Sequence, residues 1–209
     1  MAGEEIVLYR SLASRAFVAL WMLEELGLSY RSQIVPPPGR APPPELLKLN
    51  PSGRTPTLVD GEAVVSENPA ICIWLADRYG YGALAPRIED AQRGAYLRWL
   101  VWATAVLEPA RELAETTITS RRNGWGVGWP DLDVVVADLT HALQGGAFLL
   151  GEVFTAADVM VGATVSIGLF CELLPRSPAL VSYDDRLSAR PAFQRASALN
   201  WPPEPVTRA

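Results

Sequence analysis

The segment 50–58 carries the sequence features with the clearest chemical consequence. It reads Asn-Pro-Ser-Gly-Arg-Thr-Pro-Thr-Leu, and Pro56 stands directly before a predicted strand. A proline cannot donate to a β-ladder, so it belongs at the first residue of a strand or in a special turn. If the Thr55–Pro56 bond is cis, the N–H and C=O of Thr55 face outward, and such backbone can bind an extended peptide by strand addition. The alternative is an ordinary trans proline in a loop, the commoner state of X-Pro bonds.

Residues 66–69, Ser-Glu-Asn-Pro, have the composition of a helix start, with Pro69 in the first turn. A helix N-terminus offers unpaired N–H groups and a partial positive charge, which suit a carboxylate ligand. Glu67 and Asn68 are therefore candidate binding residues. The alternative is that they only cap a buried helix.

Hydrophobic spacing indicates the elements that position these residues. Residues 6–9 form a continuous apolar run, which predicts a strand buried on both faces. Helical spacing follows over 14–26, and a second strand is predicted over 30–35, giving a βαβ unit with parallel strands. After a surface loop with six prolines at 36–44, a hairpin with its turn at 60–61 leads into the helix predicted above.

The second half of the chain predicts helices only. The predicted helical segments are 96–113, 131–143, 154–171 and 186–199. Segment 154–171 is apolar on all sides, as expected of the central helix of a domain. It begins with Thr155 and Asp158 at the spacing of a capping box. The glycine-rich segment 121–130 predicts a loop, and 80–88 a linker.

Composition and charge exclude several classes of function. The chain has 209 residues and a net charge of −5, which gives no electrostatic footprint for nucleic acid or an anionic membrane. The apolar stretch 159–171 is too short to span a bilayer, and the acidic residues 1–5 do not resemble a signal peptide. A cytoplasmic protein is therefore expected. Cys72 and Cys171 lie in apolar runs and are expected to be buried thiols, and one histidine with two separated cysteines makes a metal site unexpected.

Together, the order of elements and three short motifs resemble the glutathione S-transferase family, in the bacterial type with a serine in the active turn. The motifs are NPSGRTPTL (50–58), SENPAI (66–71) and FTAADV (154–159). In that family a thioredoxin-like α/β N-terminal domain binds glutathione and an all-α C-terminal domain binds the electrophile. The resemblance covers essentially the whole chain and implies a glutathione-binding domain at 1–81, a linker at 82–90 and a helical domain at 91–209.

The resemblance implies roles for the residues of the first two motifs, with glutathione as co-substrate. The backbone of Thr55, before a cis Pro56, is implied to pair with the cysteinyl unit, and Arg54 belongs to the same binding group. Glu67 is implied to take the ammonium of the γ-glutamyl unit, while Asn68 and backbone N–H groups take its carboxylate. Asn68 departs from the family's usual serine, but it can still cap the helix and donate.

The active residue of the family lies in the turn after the first strand, here YRSLASR at 9–15. Ser14 falls at or next to that position, where a hydroxyl at a helix N-terminus can donate to the glutathione thiolate. Lowering a thiol pKa by about two units requires roughly 2.7 kcal/mol, about the size of one charge-assisted hydrogen bond plus a dipole contribution. Ser11 or a backbone N–H is the alternative donor, and Ser14 then only caps the helix.

The resemblance also implies a pocket for a small-molecule electrophile beside the first long helix of the second half. Its candidate lining residues are Tyr96, Trp99, Trp102, Ala103 and Val106. For each of these the alternative is a place in the core or in a dimer interface. Trp125 and Trp129 are candidates to cover the pocket, and His141 is expected to be a surface residue without a role.

The implied activity is the transfer of glutathione to an electrophile, as in detoxification, by a homodimer that uses no metal. Two alternatives remain open. The first is a non-catalytic glutathione-binding or protein-interaction module of the same fold. The second is a glutathione-dependent isomerase or dehalogenase, whereas serine in the active turn argues against thiol–disulfide exchange through a protein cysteine.

Overall fold

A computed structural model describes residues 5–114 and 130–202 of the chain. Its contacts separate two units, the first formed by 1–80 with 189–209 and the second by 81–188. The last helix therefore groups with the first unit, although its place in the sequence suggests the helical domain. The predicted loop at 121–130 lies, except for Pro130, outside the described residues, as do Trp125 and Trp129.

Unit 1 is built on a four-stranded mixed sheet in the order β2-β1-β3-β4. The strands are β1 (Ile6–Arg10), β2 (Tyr30–Ile34), β3 (Thr57–Asp60) and β4 (Ala63–Ser66). β1 and β2 are parallel, as the βαβ pattern predicts, and β3 and β4 are antiparallel neighbours. Leu8 pairs with Leu58 across the centre of the sheet, and both side chains are fully buried.

Nine helices account for most of the remaining described residues. They are α1 (Phe17–Glu25), α2 (Pro44–Leu49), α3 (Asn68–Tyr79), α4 (Arg93–Trp102), α5 (Glu108–Ala114), α6 (Leu132–Leu143), α7 (Ala156–Phe170), α8 (Pro178–Ser188) and α9 (Pro191–Asn200). No helix within 5–114 and 130–202 has the length and apolarity needed to cross a membrane.

The helix α9 packs on α1 within unit 1 through aromatic and charged side chains. The ring of Phe193 stands edge-on to Phe17 and Trp21, with centroid distances of 5.1 and 4.9 Å. Arg190 makes a bidentate ion pair with Glu25, with N–O distances of 2.6 and 2.8 Å. Edge-on aromatic pairs and bidentate guanidinium–carboxylate pairs both fix orientation, so these contacts set how α9 packs on α1.

The predicted helices differ from the observed ones where backbone chemistry interrupts them. The predicted helix over 96–113 contains a π-helical segment at Ala103–Leu107. The predicted final helix over 186–199 is wrong, because α8 and α9 are separate there. Pro191 disfavours helical backbone at Arg190, which is extended at φ −69° and ψ 131°.

The structure also tests the expectations for the hairpin turn, the two cysteines and His141. Asp60 pairs with Ala63, so the hairpin turn is 61–62 rather than 60–61. Cys72 is buried as expected, but Cys171 is exposed because it follows the last residue of α7. His141 is exposed, as predicted.

The capping box predicted at the start of α7 is present. Oδ2 of Asp158 accepts the N–H of Thr155 at 2.9 Å, and the Thr155 hydroxyl accepts the N–H of Ala157 at 3.3 Å. Oδ1 of Asp158 also accepts the N–H of Leu149 and the hydroxyl of Tyr183, each at 2.9 Å. One fully buried carboxylate thus satisfies donors from three separate parts of unit 2.

We predict that Asp158→Ala lowers the free energy of unfolding by about 3 kcal/mol, because it leaves several buried donors without acceptors. The measurement is urea unfolding followed by circular dichroism. The matched control is Asp138→Ala, which removes an exposed carboxylate that pairs with Arg98. That change should cost about 0.5 kcal/mol, and equal losses for the two variants would contradict the assignment.

Candidate active site

The turn between β1 and α1 carries the predicted active serine. The half-buried Ser14 hydroxyl donates to the carbonyl of Ser11 at 2.7 Å and accepts the N–H of Ala16 at 3.2 Å. The Ser14 carbonyl accepts the N–H of Phe17 at 3.1 Å, which starts α1. Ala13 has a left-handed backbone at φ 47°, which is strained for a residue with a Cβ. Ser14 therefore lies directly before the N-terminus of α1.

Ser11 is buried in the same turn. Its hydroxyl donates to the carbonyl of Pro36 at 3.0 Å and lies 3.4 Å from the hydroxyl of Thr55. Only 2% of Ser11 is exposed, so it ties the turn to two neighbouring loops rather than facing solvent. Of the two candidate serines, this geometry favours Ser14 as the ligand contact.

The loop before β3 is held by Asn50, a residue that sequence reasoning missed. Its Nδ2 donates to the hydroxyl of Thr57 at 3.0 Å and to the carbonyl of Arg54 at 3.2 Å. Its Oδ1 accepts the N–H of Ser52 at 3.1 Å and the Ser52 hydroxyl at 2.8 Å. An asparagine that binds backbone two residues ahead is typical of a turn, and the Asn-Pro-Ser-Gly sequence carries that signal. Asn50 thereby shapes the loop that presents Thr55.

Thr55 presents its backbone at the end of this loop. The Thr55–Pro56 peptide bond is cis, as the resemblance implies. Within the described part of the chain, neither the N–H nor the C=O of Thr55 makes a hydrogen bond. These two groups can pair with an extended ligand. The side chain of Arg54 is exposed beside them.

The N-terminus of α3 supplies the third part of the site. Glu67 is exposed and has a left-handed φ of 71°, directly before the first helical residue. Asn68 is buried, and its Nδ2 donates to the carbonyl of Arg15 at 3.0 Å. The Asn68 amide therefore binds the turn that carries Ser14. The backbone N–H groups in the first turn of α3 are the donors that suit a carboxylate. The implied contact of Asn68 with glutathione stays a prediction.

Burial shifts the pKa of several titratable groups of unit 1, among them Arg10 and Cys72. Burial lowers the pKa of the Arg10 guanidinium. Burial also raises the pKa of the Cys72 thiol well above its ordinary value. Cys72 is thus held as an unreactive thiol, since thiolate is the reactive form.

The five residues predicted to line an electrophile pocket lie in unit 2. Tyr96, Trp99, Trp102 and Ala103 are buried there, and Val106 is half-buried in the π-helical segment. Trp99 and Trp102 form an edge-on pair with a centroid distance of 4.9 Å. This burial agrees with the alternative of core positions for the first four, and a role in a pocket stays a prediction.

Comparison with known proteins gives the family. Residues 14–78 match the model of the glutathione S-transferase N-terminal domain. Glutathione S-transferase 3 of Zea mays is 30% identical to the chain, over 90% of the chain and 91% of the maize protein. The chain belongs to the glutathione S-transferase family.

Two further relatives of this glutathione S-transferase family member extend the comparison. A probable maleylacetoacetate isomerase of Vibrio cholerae is 29% identical over 76% of the chain and 77% of that protein. The theta class glutathione S-transferase of Xanthomonas axonopodis pv. citri, solved with glutathione bound, superposes with a TM-score of 0.74 at 28% identity. That superposition covers 91% of the chain and 96% of the Xanthomonas protein. The expected thioredoxin-like N-terminal fold with a helical C-terminal region is thus confirmed.

The close approach of two loops gives a prediction at Gly53. A Cβ at Gly53 would lie 2.6 Å from Cγ of Pro42, and the backbone φ there is +63°. Gly53→Ala should therefore lower the free energy of unfolding by about 1–2 kcal/mol, as measured by thermal or urea unfolding. Gly94→Ala is the matched control, because a Cβ there meets open space in α4. The control should leave stability unchanged or raise it by about 0.5 kcal/mol, and an equal loss at both positions would contradict the clash.

Proposed function

We propose that the protein binds glutathione on unit 1, stabilises its thiolate with Ser14 and transfers it to an electrophilic small molecule. One observation carries the proposal: three ligand-binding features are joined by hydrogen bonds around a single turn. The Ser11 hydroxyl links the turn to Thr55 at 3.4 Å. The Asn68 amide links the same turn to the N-terminus of α3 through Arg15. Hydrogen bonds thus connect the turn of Ser14 with Thr55 and with the N-terminus of α3, which supports a single binding site.

Each part of glutathione has a matching group in this site. The cysteinyl unit is extended backbone, which suits the N–H and C=O of Thr55. The γ-glutamyl carboxylate suits the N–H groups at the start of α3, and its ammonium suits the exposed carboxylate of Glu67. Arg54 supplies a positive charge beside the loop for the remaining carboxylate. In this arrangement the sulfur of glutathione contacts Ser14 at the N-terminus of α1.

The reacting sulfur in this proposal is that of glutathione. Cys72 is buried in α3 and Cys171 belongs to unit 2, so neither lies in the turn of Ser14. This arrangement supports thiolate transfer over disulfide exchange through a protein cysteine. Calorimetric titration with glutathione tests the binding step, and the absence of binding at millimolar glutathione would overturn the proposal.

The role of Ser14 gives a direct prediction. Ser14→Ala should raise the pKa of the bound glutathione thiol by about one unit, because the hydroxyl donor is lost while the helix N-terminus remains. Conjugation of an activated aryl halide near pH 6.5 should fall about tenfold as the thiolate fraction falls. The measurements are the ultraviolet absorbance of the bound thiolate against pH and the conjugation rate.

The control for this prediction is Ser182→Ala, which alters an exposed serine of unit 2. It should leave both the bound thiol pKa and the conjugation rate unchanged. A Ser14→Ala protein with the wild-type thiol pKa would remove Ser14 from the mechanism, and Ser11 or a backbone N–H would take its place.

A second candidate function is glutathione-dependent isomerisation, which the similarity to the Vibrio cholerae protein supports. In that reaction the thiolate adds to an unsaturated substrate and is eliminated again, so glutathione is not consumed. Measuring glutathione consumption alongside product formation separates the two candidates. The remaining expectations from the sequence stay predictions. They are a dehalogenase activity, a non-catalytic module, a homodimer, a cytoplasmic location, a role in detoxification and the domain limits at 81 and 90.

A further inference from the structure

The C-terminal end of α9 meets the active turn within unit 1. The last carbonyls of a helix have no partners inside the helix and must find donors elsewhere. Here the carbonyl of Leu199 accepts from Nη1 of Arg10 at 3.2 Å, and the carbonyl of Asn200 accepts the N–H of Ala13 at 2.8 Å. The end of α9 is thus capped by a strand terminus and by the turn that precedes Ser14.

The side chain of Asn200 makes a second bond to the same turn. Its Nδ2 donates to the carbonyl of Ser14 at 3.0 Å. Asn200 is fully buried, and its Oδ1 has no hydrogen-bond partner among the residues that the structure describes. A buried amide oxygen without a hydrogen-bond partner lowers stability. The favourable contribution of the Asn200 side chain is therefore the hydrogen bond that its Nδ2 donates.

These two bonds act on the backbone that aims the Ser14 hydroxyl. The bond from Ala13 to Asn200 holds a residue with a left-handed φ, a conformation that persists only where its surroundings fix it. The hydrogen bond from Asn200 fixes the Ser14 carbonyl, which also accepts the N–H of Phe17, the first residue of α1. The Ser14 side chain therefore takes its direction from a residue 186 positions later in the chain.

We propose that Asn200 is a positioning residue that aims the Ser14 hydroxyl at the sulfur of bound glutathione. The proposal rests on the proposed function and adds a residue from the C-terminal helix to the thiolate-stabilising machinery. Asn200 touches neither glutathione nor its sulfur in this proposal, because it acts through the backbone of Ala13 and Ser14.

The test compares Asn200→Ala with the wild-type protein. The bound thiol pKa should rise by about 0.5 to 1 unit, and no further than it does in Ser14→Ala. The dissociation constant of glutathione should change less than about threefold, because Thr55 and Glu67 still bind the peptide. A merely structural role would lower the melting temperature and leave the bound thiol pKa at its wild-type value.

A matched control weakens α9 without touching the turn. Arg190→Ala removes the ion pair with Glu25 at the other end of the same helix. It should lower the melting temperature and leave the bound thiol pKa unchanged. An equal pKa rise in Arg190→Ala and Asn200→Ala would overturn the proposal, since general loosening of α9 would then explain both.

A double-mutant cycle tests whether Asn200 acts through Ser14. In the Ser14→Ala background, Asn200→Ala should cause no further rise of the bound thiol pKa, because coupled residues are not additive. Additive shifts would overturn the proposal. If Asn200→Ala yields no folded protein, Asn200→Leu fills the same space without the donor and carries the same expectations.

Amide hydrogen exchange of the wild-type protein provides a measurement that needs no variant. The Ala13 N–H should be protected together with the last amides of α9, although Ala13 itself is exposed. Rapid exchange of Ala13 beside a protected α9 would overturn the proposal. Failure of the proposed function looks different, since the wild-type protein would then not bind glutathione at all.

Discussion

The turn between β1 and α1 depends on hydrogen bonds that its own residues cannot supply. The carbonyls of Ser14 and Arg15 accept from the amides of Asn200 and Asn68, which lie on two different helices. The hydroxyl of Ser11 connects the turn to a third segment. A six-residue turn with a left-handed alanine would otherwise sample several conformations, because fixing each backbone residue costs roughly 1–2 kcal/mol of conformational entropy. The geometry of the candidate site is therefore a tertiary property of unit 1.

This dependence separates what the sequence predicts from what it cannot. The strand at Ile6 and the capping box at Asp158 follow from local sequence spacing. The cis bond before Pro56 is implied by the family resemblance instead, and Asn50 holds the loop that leads to it. Asn200 gives no such signal, since its partner lies 186 residues away and an asparagine at a helix end is ordinary. The same reason hides the bond from Asn68 to Arg15, which replaces the expected free donor at the start of α3.

Within unit 1, backbone strain and unsatisfied polar atoms lie around the candidate site. Ala13 and Glu67 have left-handed backbones, and the Oδ1 atoms of Asn68 and Asn200 are buried without partners within the described residues. Elsewhere in the same unit, Leu8 and its neighbours form a sheet core with no such cost. Strain and unsatisfied polar atoms persist where the surrounding structure over-determines them, and they gather where function requires a fixed geometry. Within unit 1 these costs lie at the same turn as the hydrogen bonds do, while unit 2 has others at Glu172, Arg111 and Asp184.

The Ser14 hydroxyl has one proton, and in the structure that proton goes to the carbonyl of Ser11. Donating to a thiolate means exchanging a neutral acceptor for a charged one, so the net gain is the difference between the two bonds, about 1 kcal/mol. That gain lowers a thiol pKa by no more than about one unit, whereas a shift of two units requires roughly 2.7 kcal/mol. A shift of two units therefore needs a further contribution, and the dipole at the N-terminus of α1 supplies about 0.3–1 kcal/mol of it. In the proposed mechanism the orientation of α1 relative to the turn is thus as important as the hydroxyl itself, and Asn200 and Asn68 bind that turn through two adjacent carbonyls.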